Sequence, residues 1–154
     1  MGELPNLYEP VFDETRDEPP FTWRRARVGR QAGSRQLGAS LFEVPPGAAT
    51  FPVHVHWANE ELLVVVSGTV TMTAADGTRE LRAGDVVAWP AGPQGAHRLD
   101  NQGAAAARLL VVSTMRAPEI NTYPGTDRLW VRNYAPGDDP PEACLDLRGT
   151  AAAE

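Results

Sequence analysis

His54 and His56 stand two residues apart in FPVHVHW, and Glu61 follows at the head of an apolar run that Gly68 closes. In a β-strand alternate side chains share a face, so the two imidazoles point the same way with Cα atoms roughly 6.6 Å apart. At that spacing both can reach one ion at about 2.0–2.1 Å, and a carboxylate from the next strand can complete the set. The chain has 3 histidines in all, and the third, His97, lies in a second segment punctuated by glycine and proline, GDVVAWPAGPQGAHRLDN. Three neutral imidazoles and one carboxylate around a divalent cation leave a net charge near +1. In an octahedral field about two positions then stay open to water, oxygen or a chelating molecule. These donors suit one divalent transition metal, Fe, Mn, Ni, Cu, Co or Zn, better than Ca or Mg.

The elements that must position these residues read as short strands. Alternation predicts strands over 21–30 and 37–44, the histidine strand over 51–56, and another over 60–67. Residues 69–85 read as a hairpin turning on Asp76-Gly77. Strands over 85–90 and 96–101 flank the AGPQG loop, 108–115 forms another strand, and 120–124 with 127–133 adds edge strands. Leu62–Val66 is apolar at every position, as is much of 108–115, so both faces of these strands are expected to be covered. Short strands, many glycines and prolines, and no sustained helical period point to an all-β sandwich or barrel. The expected organisation is an extended arm over 1–20, a single β-barrel domain over 21–133, and a mobile or clamping tail over 134–154.

Strand parity also nominates a pocket wall. If Glu61 faces inward, Leu63 and Val65 do too, and Leu99 follows His97. Phe51, Trp57, Met72 and Trp89 are further candidates for an apolar lining that suits a small organic molecule with a chelating oxygen. Glu60 has the opposite parity and is expected outside. Tyr123 and Glu60 are the only candidates for a general base near the site.

Composition removes several function classes. With 154 residues and 42% hydrophobic content the chain can bury a core. No apolar run approaches the roughly 20 residues that span a bilayer, and the N-terminus lacks a basic leader, so a cytoplasmic protein without membrane contact is expected. A net charge of −6 argues against nucleic acid. The local cluster Arg24, Arg25, Arg27 and Arg30 reads as the solvated face of a strand. All 14 basic residues are arginine, which excludes Schiff-base chemistry, and the single cysteine, Cys144, excludes an intramolecular disulfide.

The two histidine segments together resemble the paired signature motifs of the cupin superfamily. Gly47, His54, His56, Glu61 and Gly68 match the first motif; Gly84, Pro90, Gly92, His97 and Asn101 match the second. The spacers before His54 and His97 are longer than the motif pattern, and both fall in loops. The resemblance spans about residues 35–115 and implies a double-stranded β-helix, or jelly-roll, barrel with His54, His56, Glu61 and His97 as metal ligands. Asn101 is expected to stabilise the loop after the second motif. Cupins host many chemistries. The expected function is that of a metal-dependent enzyme on a small organic substrate, foremost an Fe(II)-type dioxygenase. The alternatives are a non-redox isomerase, lyase or hydrolase using Zn, Mn or Ni, and a non-catalytic binding or sensing module. Doubly covered strands in so small a barrel lead us to expect a homodimer.

Overall fold

The computed structural model describes residues 4–133 and 144–148. Among these residues the strands are β1 (Glu14–Glu18), β2 (Phe21–Ala26), β3 (Gly38–Val44), β4 (Val55–His56), β5 (Glu61–Ser67), β6 (Thr69–Ala74) and β7 (Gly77–Arg82). They continue with β8 (Val86–Trp89), β9 (His97–Asp100), β10 (Ala107–Ser113), β11 (Glu119–Thr122), β12 (Arg128–Arg132) and β13 (Cys144–Arg148). One short helix, α1 (Val28–Gln31), and a 3-10 turn at Pro93–Gly95 interrupt them.

Two layers result. One is a six-stranded sheet in the order β1-β2-β3-β10-β5-β8. The other joins a four-stranded sheet, β13-β12-β11-β4, to a three-stranded sheet, β7-β6-β9, through an antiparallel bridge between His54 and His97. This is the jelly-roll architecture. The core between the layers holds Trp23, Phe42, Val44, Leu63, Val65, Val70, Met72, Leu81, Trp89, Leu99 and Leu109. Trp23, Phe42 and Phe51 meet edge-on or tilted at centroid distances of 5.3–5.7 Å, the geometry that the ring quadrupoles favour.

The expected strands depart from the observed ones where a local residue forbids a ladder. The histidine strand shrinks to Val55–His56 and the His54 bridge, because Pro52 has no N–H to donate. The strand expected to run to residue 30 stops at Ala26, and α1 follows. Val28 and Gly29 are both buried, which alternation cannot provide; a Cβ on Gly29 would come within 2.7 Å of the Ala39 nitrogen. In the hairpin the two-residue loop is Ala75-Asp76, and Gly77, at φ 128°, instead closes the ladder opposite Ala74.

Strands also occur in both flanking stretches. β1, within the presumed arm, pairs with β2 over its whole length, and upstream of it Leu7 and Phe12 pack on a second small cluster of Ala26, Val28 and Leu41. β13, within the presumed tail, pairs with β12. The remainder of the tail lies outside the described residues.

That second cluster covers Val66 and Leu110 on the outer face of β5 and β10. Further along the same face Leu62 is 39% exposed, so double coverage extends over only part of these strands within one chain.

Candidate metal centre

The three histidines come from one layer and the carboxylate from the other. His54 N donates to His97 O at 3.2 Å and His97 N to His54 O at 3.1 Å, so the two residues form a directly hydrogen-bonded pair with side chains on one face. His56 lies two residues along on that face. Glu61 opens β5 in the facing sheet, held between Trp89 of β8 and Ser113 of β10. One donor atom from each of His54, His56, Glu61 and His97 falls within 4.8 Å of every other. Glu61 Oε2 stands 3.2 Å from His56 Nε2 and 3.4 Å from His97 Nε2.

The donor chemistry fits a divalent cation. His54 Nδ1 is 2.9 Å from the Pro52 carbonyl and His97 Nδ1 is 2.8 Å from the Gly95 carbonyl. A carbonyl can only accept, so both Nδ1 atoms carry their proton and both Nε2 lone pairs face the cluster, which is how metal-binding imidazoles are held. Burial, reinforced by the neighbouring His97 and His56, lowers His54 to about 3 and keeps it neutral. Burial also works against charge on His56, but the carboxylates of Glu61 and Glu119 outweigh it and raise this group to about 9. Glu61 is held ionised: burial opposes this, but the charge and hydrogen bond of His56, with His97 close by, prevail. A cation entering the cluster must displace the His56 proton, whereas His54 and Glu61 are already in ligating form.

Two residues absent from the sequence reading surround His56. β11 pairs with β4 so that Asn121 lies opposite His56, its Nδ2 at 3.2 Å from His56 Nδ1. Glu119 is fully buried, accepts from Trp57 N and Ala58 N, is hydrogen-bonded by Asn59, and approaches His56 Nδ1 at 3.7 Å. It thus fixes both the turn after the histidine strand and the ring orientation of His56. Inward parity with Asn121 on a strand facing His56 was the available signal, but the pairing of β11 with β4 spans about 65 residues and no local pattern reveals it.

The cluster lies in a cavity of about 370 Å³. Of the nominated wall residues, Phe51, Trp89 and Leu99 line it. The Trp89 indole stacks on His97 with centroids 3.7 Å apart and planes 2° from parallel. Leu63, Val65 and Met72 sit in the core, where their inward parity meets packed side chains rather than the cavity. Trp57 is half exposed and turned outward, its indole donating to Thr122 Oγ1. Glu60 is exposed, whereas Tyr123 lines the cavity with its ring 6.5 Å from that of His54. Asn101 is buried and ties down its loop, donating to Val44 O and Ala105 O and accepting from Gly103 N.

The wall also carries positive charge. Arg16, Arg25, Arg128 and Arg132 all line the cavity. Arg25 belongs to the cluster read as a solvated strand face. That reading holds for the exposed Arg24; Arg30, though exposed, lies on α1, and Arg25 shares the inward parity of Trp23.

A family model described as a cupin domain matches residues 40–113, the stretch that carries all four ligands. The chain carries a cupin domain. This cupin is similar to the crystal structure of a sugar phosphate isomerase of the cupin superfamily from Silicibacter pomeroyi: 26% identity, 82% of this chain and 76% of that one covered, TM-score 0.73. An Acidithiobacillus ferrooxidans protein assigned as a sugar phosphate isomerase matches at 27% identity, over 75% of this chain and 73% of that one, with a TM-score of 0.70. The polyketide cyclase RemF of Streptomyces resistomycificus, at 24% identity over 63% of this chain and 68% of that one with a TM-score of 0.54, shares the fold. Among curated proteins none matches the sequence. Among the described residues no helix is long and apolar enough to cross a membrane.

Proposed function

We propose that this cupin is a metal-dependent enzyme that isomerises a small polar substrate, with the metal acting as a Lewis acid. The observation that carries this reading is the lining: a histidine–carboxylate cluster opens onto a cavity that also holds Tyr123 and four arginines. Such a wall suits a hydroxylated, charged molecule. His54, His56, Glu61 and His97 would hold the ion, which when bound polarises a substrate carbonyl or hydroxyl oxygen. Tyr123 stands in this wall with its ring 6.5 Å from that of His54, and burial, opposed by Arg128, raises its phenol above the ordinary value. It remains protonated at neutral pH and donates a proton or hydrogen bond to the substrate. The similarity to a sugar phosphate isomerase supports the same class of chemistry.

The Fe(II)-type dioxygenase reading uses the same four ligands, and oxygen separates the two. Metal-loaded protein is incubated with a panel of aldose and ketose phosphates, in air and under nitrogen, and followed by NMR. Interconversion that is indifferent to oxygen supports the isomerase; oxygen-dependent consumption of substrate would replace it with the dioxygenase.

We read the protein as a homodimer as well. The register brings Leu62, Ala88 and Val112 into one row and Val64, Val86 and Leu110 into the next, an apolar grid on the outer face in which Val86 is 58% exposed. Light scattering that returns twice the 16.6 kDa chain mass supports this, and a monomer mass rejects it.

A further inference from the structure

We propose that Arg16 and Arg25 form an anion subsite in the wall of the metal cavity, and that it takes the phosphate group of a phosphorylated substrate. The register of β1 and β2 sets Arg16 opposite Trp23 and Arg25 opposite Glu14, so both arginines share the inward face with Trp23. They are diagonal neighbours, about 7–8 Å apart at their Cα atoms. Two guanidinium groups at that distance can close on one oxyanion.

Their hydrogen bonding within the protein is incomplete. Arg16 Nη2 is 2.7 Å from Glu18 Oε2, and Arg25 Nη2 bonds Glu14 Oε2. The Nε–H of each is buried and has no acceptor in the protein. A buried charged donor left without an acceptor is costly, and an oxyanion bound between the two arginines would offset that cost. Aromatic rings hold the guanidinium groups in place: Arg16 lies over Phe21 at 5.4 Å, and Arg25 over Trp23 and Phe42 at 5.7 and 5.9 Å. Across the cavity β12 presents Arg128, which Asp146 fixes through two bonds of 2.9 and 2.8 Å.

The geometry favours phosphate over carboxylate. A carboxylate brings one charge and two oxygens, whereas a phosphate group brings about −1.5 to −2 and three terminal oxygens, which can accept from two guanidinium groups that approach from different directions. A substrate gripped here and reaching the histidine cluster has an anionic phosphate at one end and metal-binding oxygens at the other. This assignment rests on the cavity being the substrate site, as proposed above, but not on the metal.

The test is calorimetric titration of inorganic phosphate, with acetate as the comparison, into protein stripped by chelator and into protein reloaded with zinc. Phosphate is expected to bind the stripped protein more tightly than acetate does. Arg25→Met and Arg16→Met should each weaken phosphate by roughly ten- to a hundredfold, with metal content unchanged. Should Arg25→Met misfold, Arg16→Met carries the test, since its ion-pair partner Glu18 is exposed. Phosphate binding that vanishes with the metal and is untouched by both substitutions overturns the proposal, as does acetate binding as tightly as phosphate. Wild-type protein that binds no metal yet still takes phosphate through these arginines would remove the Lewis-acid reading and leave the subsite standing.

Discussion

The histidine cluster and the arginine wall of one cavity are built on opposite principles. In the cluster the outer nitrogens are tied to the backbone: His54 to Pro52 and His97 to Gly95, each by a carbonyl that dictates which ring nitrogen faces inward. The arginine wall leaves the Nε–H groups of Arg16 and Arg25 buried and without an acceptor. The first region presents lone pairs and so is prepared for a cation. The second presents N–H donors and so is prepared for an anion. A molecule that satisfies both must bring oxygens to the metal and negative charge to the arginines.

Substitutions that act on one region and spare the other break or sharpen this contrast. The largest effect is expected from Glu61→Gln, which removes the one anionic ligand and should abolish metal retention through dialysis, read by elemental analysis, while phosphate still binds in titration. Glu119→Gln should lower metal affinity by roughly ten- to a hundredfold, measured by competition with a chromophoric chelator, because Glu119 orients His56 without joining the cluster. Asn101→Ala strips hydrogen-bond partners from three backbone groups, that of Val44 buried, and should cost about 1–3 kcal/mol in denaturant unfolding, with metal stoichiometry unchanged.

A further check follows from His56, raised to about 9. Its proton must leave before a cation binds, so metal affinity should rise with pH up to that value and uptake at neutral pH should release a proton. Calorimetry in buffers of different ionisation enthalpy reads this directly. The smallest effect is expected at Arg24, which pairs with Glu43 on the outer face with 53% of its side chain exposed. Arg24→Ala should change stability by less than about 1 kcal/mol and leave phosphate affinity alone, in contrast to its neighbour Arg25.

The two regions also differ in how far the sequence discloses them. The ligands are legible because a His-x-His pair, a glutamate separated by six residues from a glycine and a third histidine after Pro-x-Gly are local spacings, and strand parity turns them inward. Asn121 and Glu119 are not, because they meet His56 only through the pairing of β11 with β4. The arginines are hidden for another reason. Arg24 and Arg25 are adjacent and chemically identical, and only the strand's phase relative to Trp23 tells which one enters the cavity. Arg16 lies in ETRDE, a stretch so polar that its pairing with β2 has no apolar signature. Parity likewise nominates Leu63 and Val65 as inward but cannot say whether inward means core or cavity.

The claim on which the rest depends is that His54, His56, Glu61 and His97 bind one transition-metal ion together. Elemental analysis after equilibrium dialysis of wild type and His97→Ala against zinc tests it most directly. One ion per wild-type chain and close to none in the folded variant is the expected result. A wild type that emerges without metal, or a His97→Ala protein that retains its full complement, would contradict it.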